Sequence, residues 1–263
     1  MKTKTKTEKK RLDVLLVERG LAESRHRAQG LILAGQVRVN GRKLEKAGAL
    51  VAADARIEID GSRLRYASRG GLKLEAALEE FGVNPAGKVC LDIGASTGGF
   101  TDCLLQHGAG RVYAVDVSTN QLAWRLQQDA RVVRVERNAR ELRLEDLGEP
   151  VELVTIDVSF ISVAKVLPRA VEVAKPGADW LILVKPQFEL ERGDVGKGGI
   201  VRDPRLHARA VERVQAAAVE AGLRVEGVRP SRLPGAGGNL EFFLHGRLLH
   251  PAEFCGTRSL RQP

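Results

Sequence analysis

At 263 residues with 43% hydrophobic content, the chain suits one large domain beside a small one, with a substantial core. Cys90, Cys103 and Cys255 form no C-x-x-C pair, which argues against a disulfide framework or a structural zinc site. No apolar run approaches the ~18 residues of a membrane span, and the N-terminal Lys/Thr string is not a secretory signal, so a soluble cytoplasmic protein is expected, without a membrane partner. The net charge of +9 is unevenly placed: residues 1 to 70 hold 17 Lys and Arg against 8 Asp and Glu, while residues 71 to 263 hold 25 of each. A basic front suits a polyanion bound through phosphate contacts; the alternative is a solvated face kept for solubility.

Residues 1 to 10 form a basic, low-complexity tail expected to be disordered. Leu12, Leu15, Leu16 and Leu21 fall on one helical face, and Ala28, Leu31 and Ile32 repeat that spacing before Gly35 stops a second helix. Residues 36 to 41 alternate their side chains and turn at Asn40-Gly41, a hairpin signal, and residues 56 to 61 repeat the pattern. Residues 11 to 66 thus read as a compact helix-helix-sheet module. Ser68-Arg69-Gly70-Gly71 supplies a flexible hinge, so residues 67 to 71 read as a linker. From residue 88, strands at 89–93, 112–116, 132–135, 153–157, 181–185, 223–228 and 240–244 alternate with helices. The longest helix, 204–221, is opened by Asp203 and Pro204 and closed by Gly222. The rhythm predicts an α/β domain over residues 72 to 250, a mostly parallel seven-stranded sheet with helices on both faces, and a tail over 251 to 263.

The stretch Val89-Cys90-Leu91-Asp92-Ile93-Gly94-Ala95-Ser96-Thr97-Gly98-Gly99-Phe100 carries an apolar strand into a glycine-rich turn that opens a helix, a cradle for a nucleotide cofactor. A dinucleotide wants G-x-G-x-x-G, whereas this loop reads Gly94-x-x-x-Gly98-Gly99. The next strand ends in Asp116, 22 residues after Gly94, where a carboxylate accepts hydrogen bonds from ribose hydroxyls. S-adenosylmethionine, with a ribose and no phosphate, fits both features.

Ligands of an open parallel sheet bind beyond the carboxyl ends of its strands, where Asp157 and Lys185 also fall. Pro186 cannot donate to the ladder and leaves Lys185 at the rim. Either residue alone also reads as a strand-end charge facing water; together they form a proton-handling pair. The run from Gly193 to Gly199 imitates a phosphate loop but lacks the four-residue gap and a Ser or Thr after Lys197, so it reads as a mobile loop over the substrate. The turn cluster from Pro234 to Asn239 is placed to border the cleft. The five histidines show no zinc spacing, and no metal is expected.

These residues carry a specific resemblance. Arg11-Leu12-Asp13-x-Leu15-Leu16, Ser24-Arg25-x-x-Ala28 and Gly35-x-Val37-x-Val39-Asn40-Gly41 resemble the RNA-binding domain of ribosomal protein S4. Ser68-Arg69-Gly70-Gly71-Leu72-Lys73-Leu74, the Gly94–Phe100 loop, Asp157-Val-Ser-Phe-Ile-Ser162, Lys185-Pro-Gln-Phe-Glu189 and Gly238-Asn-Leu-Glu241 are similar to the TlyA family. Its members are ribosomal RNA cytidine 2′-O-methyltransferases of the FtsJ-like class, sometimes described as haemolysins. The resemblance covers all but the first ten and last dozen residues. It implies a Rossmann-like class I methyltransferase with a small N-terminal α+β RNA-binding domain, S-adenosyl-L-methionine as donor, and ribosomal RNA or ribosomal subunits as partner, with the large subunit or both subunits modified. It implies a catalytic tetrad at Lys73, Asp157, Lys185 and Glu241. Lys185 serves as base, Asp157 orients it, and Glu241 holds Lys73 so that charge developing on oxygen meets a cation. Cofactor positions map to Asp92, Gly94, Ala95, Ser96, Thr97, Gly98, Gly99, Asp116 and Asn138, the last a position where relatives often carry Asp. Two other readings are a non-catalytic RNA-binding ribosome assembly factor, which a broken tetrad would favour, and a membrane-active haemolysin, which the lack of an apolar span disfavours.

Overall fold

A computed structural model describes residues 9–22, 24–33, 35–59, 65–196 and 198–250, so most of the basic tail and the C-terminal tail lie outside the described residues. The chain divides into two compact units, Met1–Leu64 and Arg65–Pro263.

The first unit runs β1 (Lys9–Arg11), α1 (Leu12–Glu18), α2 (Arg25–Leu33), β2 (Val37–Val39), β3 (Arg42–Lys43), β4 (Leu50–Ala52) and β5 (Ile57–Ile59). Strands β3-β2-β5 form one antiparallel sheet, and β1 pairs with β4 in a second. Asn40 and Gly41, with φ of +50° and +78°, make the two left-handed positions that Asn-Gly hairpins supply. The core gathers Leu12, Leu15, Leu16, Ala28, Ile32, Val37 and Val39. Leu21 does not join that helical face. The chain leaves α1 at Arg19, and Leu21 is exposed. Lys9 and Lys10, expected in a disordered tail, pair with Ala52 and Val51 instead. Three basic residues in a row show no alternation from which a strand could be read.

Asp13, in the first turn of α1, is fully buried. It accepts hydrogen bonds from Arg11 (3.0 Å), Gln29 (3.0 Å) and Arg25 (2.9 Å). The bonds from Arg11, then those from Gln29 and Arg25, outweigh burial and hold its carboxyl well below the usual range. One carboxylate thus fixes two guanidinium groups in place.

The second unit runs α3 (Gly70–Phe81), β6 (Val89–Ile93), α4 (Gly99–Gln106), β7 (Arg111–Asp116), α5 (Trp124–Gln127), β8 (Val132–Glu136), α6 (Leu144–Leu147), β9 (Val151–Ile156), α7 (Leu167–Ala170), β10 (Ala174–Val184), α8 (Pro186–Glu189), α9 (Pro204–Glu220), β11 (Leu223–Pro230) and β12 (Phe242–Leu248). The sheet order is β11-β12-β10-β9-β6-β7-β8, with β12 antiparallel to both neighbours and the pairs from β10 to β8 parallel. The chain moves outward from β6 to β8 and then returns to place β9 beside β6. That reversal opens a crevice at the carboxyl ends of β6 and β9.

Both faces are covered, so central strands are largely apolar. Along β10, Leu181 and Leu183 pack with Leu74, Leu78 and Leu104 of α3 and α4, while Trp180 and Ile182 pack with Val214 and Ala218 of α9. Helix α9 begins as the sequence predicts, with Asp203 accepting from the Arg205 N–H at 2.8 Å and Pro204 in the first position.

Several strand limits differ from expectation, among them the starts of β10 and β12. Strand β10 starts at Ala174 rather than 181, because a register shift between Ala174 and Asp179 carries Pro176 and Gly177 through a region that reads as a breaker. Strand β12 starts at Phe242 rather than 240, leaving Leu240 exposed in the preceding turn. The expected hinge is also corrected. Tyr66 is buried in the core of the larger unit, the Ala67 N–H donates to Asp102 at 2.7 Å, and Gly70 already begins α3. Gly71 is needed there because a Cβ would run into the Tyr66 ring. Residues 67 to 71 are a packed entry, not a flexible linker.

Candidate active site

The crevice holds a cleft of roughly 270 Å³ lined by the loop residues Gly94, Ala95, Ser96, Thr97 and Gly99, and by Lys73 and Asp157. Gly94, at φ +85°, lies so close to the Asp157 backbone carbonyl that a Cβ would collide with it. The Asp157 N–H donates to the Ile93 carbonyl at 2.9 Å. Loop and carboxylate are therefore fixed to each other through backbone, whatever their side chains do.

The four tetrad positions form two ion pairs. Lys185, capping α8, places Nζ 2.6 Å from Asp157 Oδ1 and donates to Ser159 Oγ at 2.9 Å. The Asp157 contact lacks the angles of a hydrogen bond, so the carboxylate acts on the amine as a charge. Lys73, on α3, donates to Glu241 Oε2 at 2.6 Å, with side chains 12% and 3% exposed. Glu241 sits just before β12, and a Cβ on Gly235 would strike its carboxylate. Pro234 and Gly235 line the cleft, as the turn cluster predicts.

The remaining expected cofactor residues are not among those lining the cleft. Asp116, ending β7, accepts from the Ser96 N–H at 2.9 Å and the Ser118 N–H at 3.3 Å, and so fastens the loop. Gly98 caps α4 against Leu122 and Leu126. Asn138 accepts from the Arg140 N–H at 3.1 Å and caps the turn at Ala139–Glu141. Asp92 is corrected outright. It has no exposed surface with which to touch a ligand, and it accepts from Thr101 Oγ1 at 2.6 Å and Thr155 Oγ1 at 3.1 Å beneath the loop.

Burial pushes the Asp92 carboxyl up to about 7, against the Thr101 and Thr155 hydrogen bonds. Unfolded, it titrates near 4. Between those limits the folded state binds the extra proton, so stability from this residue is full at low pH and falls as pH rises toward and past 7. Urea unfolding at pH 5 and pH 8 is expected to show a loss of about 2 kcal/mol in the wild type that Asp92→Asn lacks. Equal losses in both proteins would contradict this placement.

Sequence reasoning missed the aromatic wall. Phe160, at φ +65° and 91% exposed, lies with its ring 5.1 Å from that of Phe188. Both belong to the motifs that bear Asp157 and Lys185. A large apolar pair, Phe160-Ile161, between two serines just past a strand-end acid was the available signal.

The FtsJ-like methyltransferase family model matches residues 66–248, and the S4 domain model matches residues 10–57. The chain belongs to the FtsJ-like methyltransferase family. It is 50% identical over 236 residues to the 16S/23S rRNA (cytidine-2′-O)-methyltransferase TlyA of Mycobacterium tuberculosis, which spans 89% of this chain and 88% of that protein. It is 44% identical to Hemolysin A of Brachyspira hyodysenteriae over 89% of this chain and 98% of that one. A solved structure from Streptococcus thermophilus named a hemolysin superposes with a TM-score of 0.73 at 42% identity, covering 92% of this chain and 90% of its own. As an FtsJ-like methyltransferase, the larger unit has the Rossmann-like class I fold and takes its methyl group from S-adenosylmethionine. The S4 domain makes RNA the substrate class. The site fits that donor: the glycine loop lines a cleft beyond the strand ends, and Asp116 at the end of β7 holds that loop through the Ser96 N–H.

Proposed function

We propose that this FtsJ-like methyltransferase methylates the 2′-hydroxyl of a cytidine ribose in ribosomal RNA, acting in the cytoplasm on RNA of the large subunit or of both subunits. The observation that carries the reading is the pair of lysine–carboxylate ion pairs, Lys185–Asp157 and Lys73–Glu241, of which Asp157 and Lys73 line one cleft with the glycine loop. The tetrad is intact, which removes the main reason to read the chain as a non-catalytic assembly factor. S-adenosylmethionine supplies an electrophilic methyl carbon when bound.

The residues do the rest. A ribose hydroxyl is a weak nucleophile, so its proton must be taken or shared as the oxygen is aligned with the methyl carbon. The Lys185 amine takes that proton once it has passed its own to solvent; its bond to Ser159 aims it, and Asp157 stands beside it as a charge. Lys73, held by Glu241, presents a cation where negative charge grows on the oxygen. Asp116 fastens the loop that cradles the donor.

Phe160 and Phe188 offer a base a stacking surface beside this machinery. Stacking on an aromatic side chain contributes about 1–3 kcal/mol per base. Phe160→Ala is expected to raise KM for RNA about tenfold while leaving donor affinity unchanged, read by steady-state methyl transfer and by calorimetric titration of the donor. An unaltered KM would remove the aromatic wall from substrate binding.

The function itself is tested with pure protein, methyl-tritiated S-adenosylmethionine and isolated 16S and 23S rRNA, free and in subunits. The product should resist alkali at a cytidine in each RNA that is labelled, because a 2′-O-methyl group blocks cleavage of the adjoining phosphodiester. Label on a base, or none on any rRNA form, would overturn the reading. The hemolysin names of relatives call for a second assay. Among the described residues no helix is long and apolar enough to cross a membrane, and no dye release from liposomes is expected at physiological salt.

A further inference from the structure

The loop after β9 and the turn after β10 are laced together at successive points. Asp157 and Ser159 meet Lys185, and Phe160 meets Phe188. Beyond Phe160, the carboxylate of Glu189 takes over. Its Oε2 accepts from Ser162 Oγ at 2.5 Å and its Oε1 accepts from the Val163 N–H at 2.9 Å. Ser162 in turn accepts from the Ala164 N–H at 3.3 Å and caps the turn Val163–Lys165. On the far side, Arg213 of α9 donates to the Glu189 backbone carbonyl at 2.9 Å.

Glu189 is 2% exposed. A carboxylate so deeply buried is costly unless its oxygens are satisfied, and here each oxygen spends itself on one of two consecutive residues of the same loop. Two bonds of different direction fix position and orientation together, which one bond does not. Phe160 is the residue that needs such fixing. A bulky side chain in the left-handed region costs roughly 1–2 kcal/mol and persists only where the surroundings over-determine it. Lys185 pins the chain on the N-terminal side of Phe160. Glu189 pins it on the C-terminal side.

We propose that Glu189 is a positioning residue that clamps the 157–163 loop onto α8, so that Asp157, Ser159 and Phe160 keep their geometry toward Lys185. The inference rests on the methyl-transfer reading above for its kinetic consequence, but its structural consequence stands apart. Without the clamp, Ser162 and Val163 lose their acceptor, the strain at Phe160 relaxes, and the ion pair loses its support.

The test compares wild type, Glu189→Ala, Glu189→Gln, Ser162→Ala and Lys185→Ala in the full-length protein. Glu189→Ala is expected to lower kcat about 10- to 100-fold, the cost of an ångström-scale misplacement, with donor Kd within twofold of wild type. Glu189→Gln should recover most of the loss, because an amide oxygen still accepts from Val163 and its NH₂ donates to Ser162. Ser162→Ala, keeping one bond, should fall between. Hydrogen exchange of the 158–163 peptide, which does not depend on catalysis, should accelerate at least tenfold in Glu189→Ala with the change reaching Val163, whereas in Lys185→Ala it should stop short of Ser162. Unchanged exchange in that peptide, or full kcat in Glu189→Ala, overturns the proposal. If Glu189→Ala does not fold, Ser162→Ala decides, and wild-type kcat with wild-type exchange there overturns it. An inactive wild type with faster exchange in the variant would instead count against the methyl-transfer reading while keeping the clamp.

Discussion

Replacing Lys185 by alanine is expected to lower the single-turnover rate of methyl transfer by about 10²–10⁴, the usual contribution of a positioned base, while donor affinity stays within about twofold. The informative partner variant is Lys185→Arg. A guanidinium keeps the charge facing Asp157, but it does not give up its proton in a protein. If Lys185 acts by accepting the hydroxyl proton, arginine is as inactive as alanine. If the lysine served only as a cation near the growing charge, arginine would retain a substantial part of the rate. The geometry favours the first outcome. Asp157 Oδ1 stands 2.6 Å from Nζ without the alignment of a hydrogen bond, and Ser159 Oγ accepts from the same nitrogen at 2.9 Å. The amine is thus held by one directed bond, to Ser159, beside a carboxylate charge, a fixed placement that suits a positioned base. Near-normal turnover in Lys185→Arg would take the base role away from this residue.

Parts of this site were legible in the sequence for a definite physical reason. A parallel sheet exposes its strand ends on one side, so a polar residue that closes an apolar run, as Asp157 and Lys185 do, is carried to the ligand crevice by topology alone. Lys73 and Glu241 have no such signature. One sits in the first turn of a helix and the other in a turn before the antiparallel strand, 168 positions apart, and only the family motif pointed to them. Asp92 came with the family motif, and it lies one residue before the end of β6, inside the sheet rather than at its rim. Its carboxylate faces Thr101 and Thr155 below the loop rather than the cleft above it. The glycines of Ser68–Gly71 misled in another way, since close packing and flexibility call for the same residue. Phe160 could not be read, because nothing in a phenylalanine announces a positive φ, and the contacts that enforce it come from a strand end 25 residues later, at Lys185, and from Glu189.

The second large effect concerns stability and activity together. Glu241→Ala removes the partner of a lysine that is itself mostly buried, and breaking such a pair costs about 3–5 kcal/mol because the remaining charge is left largely out of water. In a unit of this size that should lower Tm by roughly 10 °C. Lys73→Ala should be similarly harmful, since it strands the Glu241 carboxylate. The double variant Lys73→Met with Glu241→Leu is expected to recover most of the lost stability, because a buried ion pair stabilises little beyond an apolar pair of similar volume. Activity should follow a different rule. If the Lys73 ammonium meets charge developing on the ribose oxygen, the double variant remains about 10²–10³-fold slow although it is folded and still binds the donor. Calorimetric melting and single-turnover transfer on the four proteins separate the two roles. A double variant that is stable and fully active would reduce Lys73–Glu241 to a structural strut and leave Lys185–Asp157 as the whole of the chemistry. A double variant that is stable and slow would show that the pair persists for the reaction, since the fold can do without it.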